Sequence, residues 1–134
     1  MPQGLPHLNW LAIGLAVLAS FATGGVWFPL VVKRAYAAAL GREMKTGALA
    51  LVGPLLCSMV TTTTSAVLIH ALDVTTYAGA VGFGLLVGIG YQTPMVVNIA
   101  LNPLFPRPFL YSLINAPYFV AASVLASLIL VAMR

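Results

Sequence analysis

Four long apolar segments, separated by short polar or proline-rich stretches, make up most of this chain. A helix needs about 20 apolar residues to cross the roughly 30 Å of hydrocarbon in a bilayer, and each segment is long enough to do so. The pattern therefore predicts an all-α fold with four transmembrane helices. The predicted spans are residues 8–32, 46–72, 76–101 and 109–132. The short connection around Asp73 further predicts that the second and third spans form a tight hairpin.

The composition supports a membrane protein. Of the 134 residues, 61% are hydrophobic and 6% are charged, and the mean hydropathy is +1.04. A soluble domain carries about 25% charged residues, so this chain has too few to cover a surface exposed to water. We interpret residues 1–134 as a single transmembrane domain whose surroundings are the lipid bilayer. The first span is expected to be retained, because its apolar run exceeds the roughly 7–15 residues of a signal peptide.

The basic residues are concentrated in two loops that a four-span chain places on the same side of the membrane. The first loop carries Lys33, Arg34, Arg42 and Lys45, and the third carries Arg107. Lys and Arg accumulate in cytoplasmic loops. We therefore expect a bacterial inner-membrane protein with both termini outside the cytoplasm. The net charge of +4 is explained by this topology, and no nucleic-acid partner is expected.

Small residues recur every four positions along the first and third spans. In the first span these residues are Ala12, Ala16, Ser20 and Gly24. In the third span they are Thr76, Ala80, Gly84 and Gly88, each 64 positions after its counterpart in the first span. The match suggests a parallel duplication of a helical hairpin, two spans plus two spans. Because small residues let helices approach closely, we expect the first span to pack against the third. A contact between two copies of the chain is the alternative.

Uncharged polar and aromatic side chains gather in the predicted cytoplasmic half of the spans. They are Trp27, Tyr91, Gln92, Thr93, Asn98, Asn115 and Tyr118. Four prolines in the same half are predicted to kink their helices, namely Pro29, Pro54, Pro94 and Pro117. A proline removes an amide donor and leaves a backbone carbonyl free. One interpretation is that Gln92 and Asn115 donate to such carbonyls. The other is a polar vestibule that binds a small molecule or a lipid headgroup.

The sequence lacks the usual patterns of catalytic and cofactor sites. It contains no carboxylate pair, no phosphate-binding glycine loop and no HExxH motif. The single cysteine, Cys57, has no partner at metal-ligand spacing. We therefore expect a protein that is not an enzyme and binds no cofactor or metal.

Three patches carry a resemblance to a known family: residues 9–12 (NWLA), 24–30 (GGVWFPL) and 113–118 (LINAPY). With these patches the sequence resembles the family called domain of unknown function 1761, small membrane proteins found widely in bacteria. The family usually has one more residue, often serine, before the proline of the second patch, and a glycine where Pro117 stands. The resemblance implies a four-helix membrane bundle and no established activity.

Two functions fit these features. The first is a non-enzymatic accessory or structural subunit that packs in a membrane complex with other subunits or with itself. The alternative is a small oligomeric transporter or channel whose pathway is the polar vestibule. Four helices alone rarely enclose a pathway, so the alternative requires self-association.

Overall fold

The computed structural model of the protein describes residues 8–45 and 47–134, and all regular structure in these ranges is helical. The helices are α1 (Trp10–Val26), α2 (Lys33–Leu40), α3 (Ala48–Ala71), α4 (Tyr77–Val87), α5 (Thr93–Ala100) and α6 (Pro108–Ala132). A first π-turn, Trp27–Val31, follows α1, and a second, Gly88–Gln92, joins α4 to α5.

Four helical stretches are long and apolar enough to cross a membrane. They are Trp10–Val31, Ala48–Ala71, Tyr77–Ala100 and Pro108–Ala132. The predicted all-α fold with four spans is therefore confirmed. The predicted and observed ends differ by at most two residues. Position 46, the predicted start of the second span, lies outside the described residues.

Local signals set the ends of several helices. The Asn9 Oδ1 accepts a hydrogen bond of 3.1 Å from the Ala12 amide and so caps α1. The Thr76 hydroxyl caps α4 in the same way. Each cap satisfies an amide that the first helical turn leaves free. Pro108 begins α6, where its missing amide costs nothing. Gly41 ends α2 with φ of +66°, in the left-handed region that favours glycine.

Helix α6 lies at the centre of the bundle and packs against α1, α4 and α5. Helix α3 packs mainly against α1. Residues 72–76 form the short turn expected between the second and third spans, but α3 and α4 do not pack along one another. The predicted tight hairpin is therefore wrong beyond its turn, because each helix finds its main contact elsewhere.

The small residues of α4 lie directly against the backbone of α6. A Cβ on Gly84 would lie 2.5 Å from the Val124 Cα, and one on Gly88 would lie 2.7 Å from the Val120 Cα. Ala80, one turn before Gly84, is fully buried. The expected packing of the first span against the third is therefore wrong for this ridge, since its neighbour is α6.

The corresponding ridge of α1 is buried in the core of the bundle. Ala12 and Ala16 are 1% and 0% exposed in the core that α1 shares with α3 and α6. Ser20 is buried, and a Cβ on Gly24 would lie 2.9 Å from the Tyr118 hydroxyl oxygen of α6. Gly24 of the first ridge, like Gly84 and Gly88 of the second, thus lies against the fourth span.

The four prolines fall into two structural classes. Pro29 lies within the first π-turn, and Pro94 follows the second π-turn by two residues. Each of these spans accommodates its proline with a locally widened turn, a common cause of helix bending. Pro54 and Pro117 instead lie inside α3 and α6, which continue through them.

At the end of the bundle opposite the first and third loops, polar contacts join the C-terminal residues to the start of the first span and to the turn after α3. The Arg134 guanidinium forms a salt bridge of 2.7 Å with the Asp73 carboxylate. The Asn9 amide group donates to the Met133 carbonyl at 2.7 Å. A cavity of about 190 Å³ opens beside them between α1, α3 and α6, with His70 in its wall.

Candidate functional site

The seven residues of the predicted vestibule lie in different environments. Four of them lie between helices, namely Trp27, Gln92, Asn115 and Tyr118. Tyr91 and Asn98 are exposed on the outer surface. Thr93 is half-buried, and its hydroxyl donates to the Gly88 carbonyl at 2.8 Å. The chain alone does not bring all seven residues to one surface.

Two hydrogen bonds join the first span to α6 in opposite directions. The Trp27 Nε1 donates to the Ile114 carbonyl at 3.0 Å. The Tyr118 hydroxyl donates to the Ser20 carbonyl at 3.2 Å. Pro117 removes the amide that would donate to the Leu113 carbonyl four residues earlier, so the Ile114 carbonyl is not the one that the proline leaves free. The indole bond to Ile114 is therefore an additional contact between the first π-turn and α6.

The two amide side chains do not act as the sequence suggested. The Asn115 Nδ2 donates to the Tyr111 carbonyl at 2.8 Å, one turn back in the same helix. The Gln92 amide contacts the Ser123 hydroxyl at 2.7 Å across the interface of α6 with the second π-turn. Neither bonds to a carbonyl that a proline leaves free, and that expectation is wrong.

The Ser123 hydroxyl lies between the Gln92 amide and the Phe119 carbonyl. This hydroxyl has one proton and lies 2.7 Å from the Gln92 Oε1 and 2.8 Å from the Phe119 carbonyl, which can only accept. Turning the Gln92 amide by half a turn places its NH₂ group against the Ser123 oxygen and satisfies both contacts. In either orientation, Gln92 ties the second π-turn to α6.

A chain of six aromatic rings, which the sequence did not reveal as a group, lies at the end of the bundle that carries the basic loops. Successive ring centroids are 4.6 to 5.9 Å apart. In spatial order the rings are Phe105, Tyr111, Tyr36, Phe28, Tyr118 and Phe119. This aromatic chain connects the third loop, α2, the first π-turn and α6. Each such pair contributes about 0.5–1.5 kcal/mol beyond its buried area.

Helix α2 was not predicted, although its sequence carries a signal. Tyr36, Ala39 and Leu40 have the i, i+3, i+4 spacing of one helical face, and Lys33 and Arg34 precede them. Ala39 is fully buried and α2 packs against α6, so the first loop is folded onto the bundle. Burial, reinforced by the neighbouring Tyr111 ring, raises the pKa of Tyr36 to about 12. Its phenol therefore stays protonated at neutral pH.

The first and third loops touch where α2 ends. A Cβ on Gly41 would lie 2.7 Å from the Pro106 Cγ. Arg42 and Arg107 are the next residues after this contact pair, and both are exposed. Within the described ranges, the basic residues of the two loops form no salt bridge with a carboxylate. The contact therefore places Arg42 and Arg107, each one residue further along the chain, beside the point where the two loops touch.

The polar groups between the helices are satisfied within the part of the chain that the structure describes. There, every buried side-chain nitrogen or oxygen has a hydrogen-bond partner. No three His, Cys, Asp or Glu side chains of residues 8–45 and 47–134 group closely enough to hold a metal ion. Of these polar side chains, Trp27, Gln92 and Tyr118 join different helices, whereas Thr93 and Asn115 bond to carbonyls of their own span.

The family profile described as "Protein of unknown function (DUF1761)" matches residues 11–131. The chain belongs to this family. Two of the three patches that carry the resemblance, residues 24–30 and 113–118, fall inside the matched range. In this DUF1761 protein those patches contain Trp27 and Tyr118, the two side chains that bond α1 and the first π-turn to α6. No curated protein and no solved structure gives a significant match to the chain.

Replacing Trp27 with phenylalanine tests the indole hydrogen bond in this DUF1761 protein. Trp27→Phe keeps a ring but leaves the Ile114 carbonyl without the indole donor, so we expect a loss of about 1 kcal/mol in unfolding free energy. Trp10→Phe is the matched control, because Trp10 lies on the same span and is 62% exposed. Thermal unfolding in mild detergent measures both. Equal losses in the two variants would show that the indole bond contributes nothing.

Proposed function

We propose that this DUF1761 protein is a non-enzymatic accessory or structural subunit that packs in a membrane complex. The exposure of α3 supports this proposal. Only Thr62, Ala66 and Ile69 of its 24 residues are buried. In the most apolar window of each span, 17% of residues are buried for α3 and 44% for α6. The second span therefore has most of its surface free for another helix.

The separation of α3 from α4 supports the same proposal. The two helices follow one another along the chain, but each packs against other helices. One side of the bundle is thus left open, next to a helix that is already largely exposed. A further transmembrane helix seated there would contact both α3 and α4.

The polar groups of α3 are compatible with close packing in lipid. The Thr61 hydroxyl donates to the Cys57 carbonyl at 3.0 Å, and the Thr64 hydroxyl donates to the Val60 carbonyl at 2.9 Å. These hydroxyls need no water, and hydroxyl-bearing and small residues are common where transmembrane helices meet. The exposed surface of α3 thus suits another helix as well as lipid.

Photocrosslinking from α3 tests the proposal in native membranes. A photoreactive amino acid at Val60, which is 67% exposed, should crosslink the full chain to a different membrane protein of defined mass. The same amino acid at Leu18 of α1, which is 60% exposed, is the matched control and should yield far less of that product. Crosslinks to lipid alone at Val60 would contradict the subunit proposal.

Oxidation of Cys57 separates the subunit from its alternative. Cys57 is the single cysteine and is exposed on α3. If α3 faces a different protein, oxidation with copper phenanthroline should give no disulfide-linked dimer of the chain. A dimer that is lost in Cys57→Ala would place a second copy of the chain against α3, as the oligomeric transporter or channel requires, and would contradict a different protein at that surface. That alternative needs a second copy, because Tyr91 and Asn98 of its vestibule are exposed in one chain.

The orientation is part of the same proposal. The basic first and third loops meet at one end of the bundle, and Arg134 lies at the other. By the positive-inside rule we assign the end with the two basic loops to the cytoplasm. Accessibility of single cysteines introduced at Lys45 and at Thr75 to a membrane-impermeant reagent would test this assignment.

A further inference from the structure

The region where the first and third loops meet has an unusual combination of charge and exposed apolar surface. Arg42 and Arg107 follow the contact between Gly41 and Pro106. Both arginines are exposed, and neither is paired with a carboxylate of the described residues. Glu43, the acidic residue nearest in sequence, is itself exposed and forms no salt bridge there. The region therefore has an uncompensated positive charge.

Exposed apolar side chains lie on both sides of Arg107. Leu104 is 85% exposed and Phe109 is 77% exposed, and Phe109 lies in the first turn of the fourth span. Side chains of this kind are stable in the acyl layer, whereas a guanidinium group is stable among headgroups. The sequence from 104 to 109 thus places Arg107 at the boundary between acyl chains and headgroups.

We propose that Arg42 and Arg107 form a binding site for the phosphate of an anionic phospholipid in the adjoining leaflet. A guanidinium group binds phosphate through two parallel N–H donors, and two such groups can hold one phosphate from both sides. The exposed Leu104 and Phe109 provide a surface for acyl chains. This surface favours a lipid over a free phosphate ion.

Packing between α2, the third loop and α6 holds together the two chain segments that carry the arginines. Arg42 follows α2, and Arg107 belongs to the third loop. The ring of Tyr111 holds both elements, since its centroid is 5.9 Å from that of Tyr36 in α2 and 4.6 Å from that of Phe105 in the loop. The site therefore depends on the loop contact and the aromatic chain as well as on charge.

The test measures association of spin-labelled phosphatidylglycerol with the full chain in phosphatidylcholine vesicles. At about 0.5 M salt the screening length is roughly 4 Å, so distant charges contribute little. Arg42→Gln with Arg107→Gln should lower the association constant by about tenfold, since each cation close to the lipid contributes severalfold. Lys33→Gln with Arg34→Gln removes the same charge from the same end of the bundle and should have a much smaller effect. Arg134→Gln, at the opposite end, should have none.

A second variant separates geometry from charge. Gly41→Ala keeps every charge but places a methyl group against Pro106, so it should weaken lipid association severalfold. Circular dichroism and size-exclusion chromatography establish that each variant is folded. Equal losses in the two double variants would replace the site with a diffuse effect of net charge. Undiminished association in Arg42→Gln with Arg107→Gln would overturn the proposal, as would displacement of the lipid by millimolar inorganic phosphate.

Discussion

Gly84→Ala is expected to lower the free energy of unfolding by about 3 kcal/mol, at the upper end of the usual cost of overpacking. The added Cβ would lie 2.5 Å from the Val124 Cα and 2.8 Å from the Val124 amide nitrogen. Both are backbone atoms, which cannot rotate away as a side chain can. The methyl group can be accommodated only if α4 and α6 separate, which would disrupt the most extensive helix contact in the bundle.

Gly82→Ala is the matched control for this prediction. Gly82 lies two residues away on the same helix, is exposed, and would place its Cβ with nothing within 4 Å. Within a helix, alanine is more favourable than glycine by roughly 0.5–1 kcal/mol, so this variant should have an unchanged or slightly higher free energy of unfolding. Unfolding of both variants in mixed micelles with increasing dodecyl sulfate, followed by circular dichroism, gives the comparison. Coincident unfolding curves would mean that the approach of α4 to α6 does not depend on Gly84.

The sequence predicted the spans well because the bilayer fixes the length of apolar helix that it requires. The partners of those helices were not predictable in the same way. Gly84 and Gly88 indicate that some backbone can approach α4, but nothing in a ridge of small residues says which helix will do so. That helix is α6, so the prediction that the first span packs against the third is wrong for this ridge.

The segment that forms helix α2 carries two sequence signals, a pair of basic residues and an apolar spacing typical of a helix. Lys33 and Arg34 indicate the topology, and their charge is typical of a connecting loop. The apolar spacing of Tyr36, Ala39 and Leu40 was present in the same eight residues and predicts a helix with one buried face. A positive loop and a packed amphipathic helix are therefore compatible interpretations of one segment.

The candidate site was predictable in its residue types but not in its contacts. Trp27 and Tyr118 were both identified from sequence, yet their partners are the backbone carbonyls of Ile114 and Ser20. A pattern of side chains contains no information about which carbonyl will face an indole or a phenol. That choice depends on the register between α1 and α6, which is set by packing.

The duplication of a helical hairpin stays a prediction. One observation of the structure favours it and another does not. Each half contains a π-turn next to a proline, Pro29 in the first and Pro94 in the second. The packing of the halves is unequal, however. Helix α1 packs along α6, whereas the corresponding pair, α4 and α3, does not pack along its length. A duplicated ancestor would therefore have lost one of two equivalent interfaces, and the open side that remains is where we propose a partner helix.

Tyr111→Ala is expected to cost about 2–3 kcal/mol in unfolding free energy and to release α2 from the bundle, since a half-buried ring that contacts two others is removed. Its ring is the link between Tyr36 in α2 and Phe105 in the third loop. Without it, α2 retains Ala39 as its buried residue and the contact of Tyr36 with Phe28. An eight-residue helix is too short to be stable in isolation, so its backbone amides should exchange with solvent much faster.

Hydrogen–deuterium exchange followed by mass spectrometry measures this release directly. Phe109→Ala is the control, because Phe109 lies two residues away in α6 and is 77% exposed. That variant removes a ring of similar size without touching the aromatic chain, so the exchange of α2 should remain at the wild-type rate. If α2 exchanges at that rate in Tyr111→Ala as well, then α2 is held by Ala39, by the contact of Tyr36 with Phe28 and by the chain around Gly41. The site proposed for Arg42 and Arg107 would in that case depend on the loop contact alone.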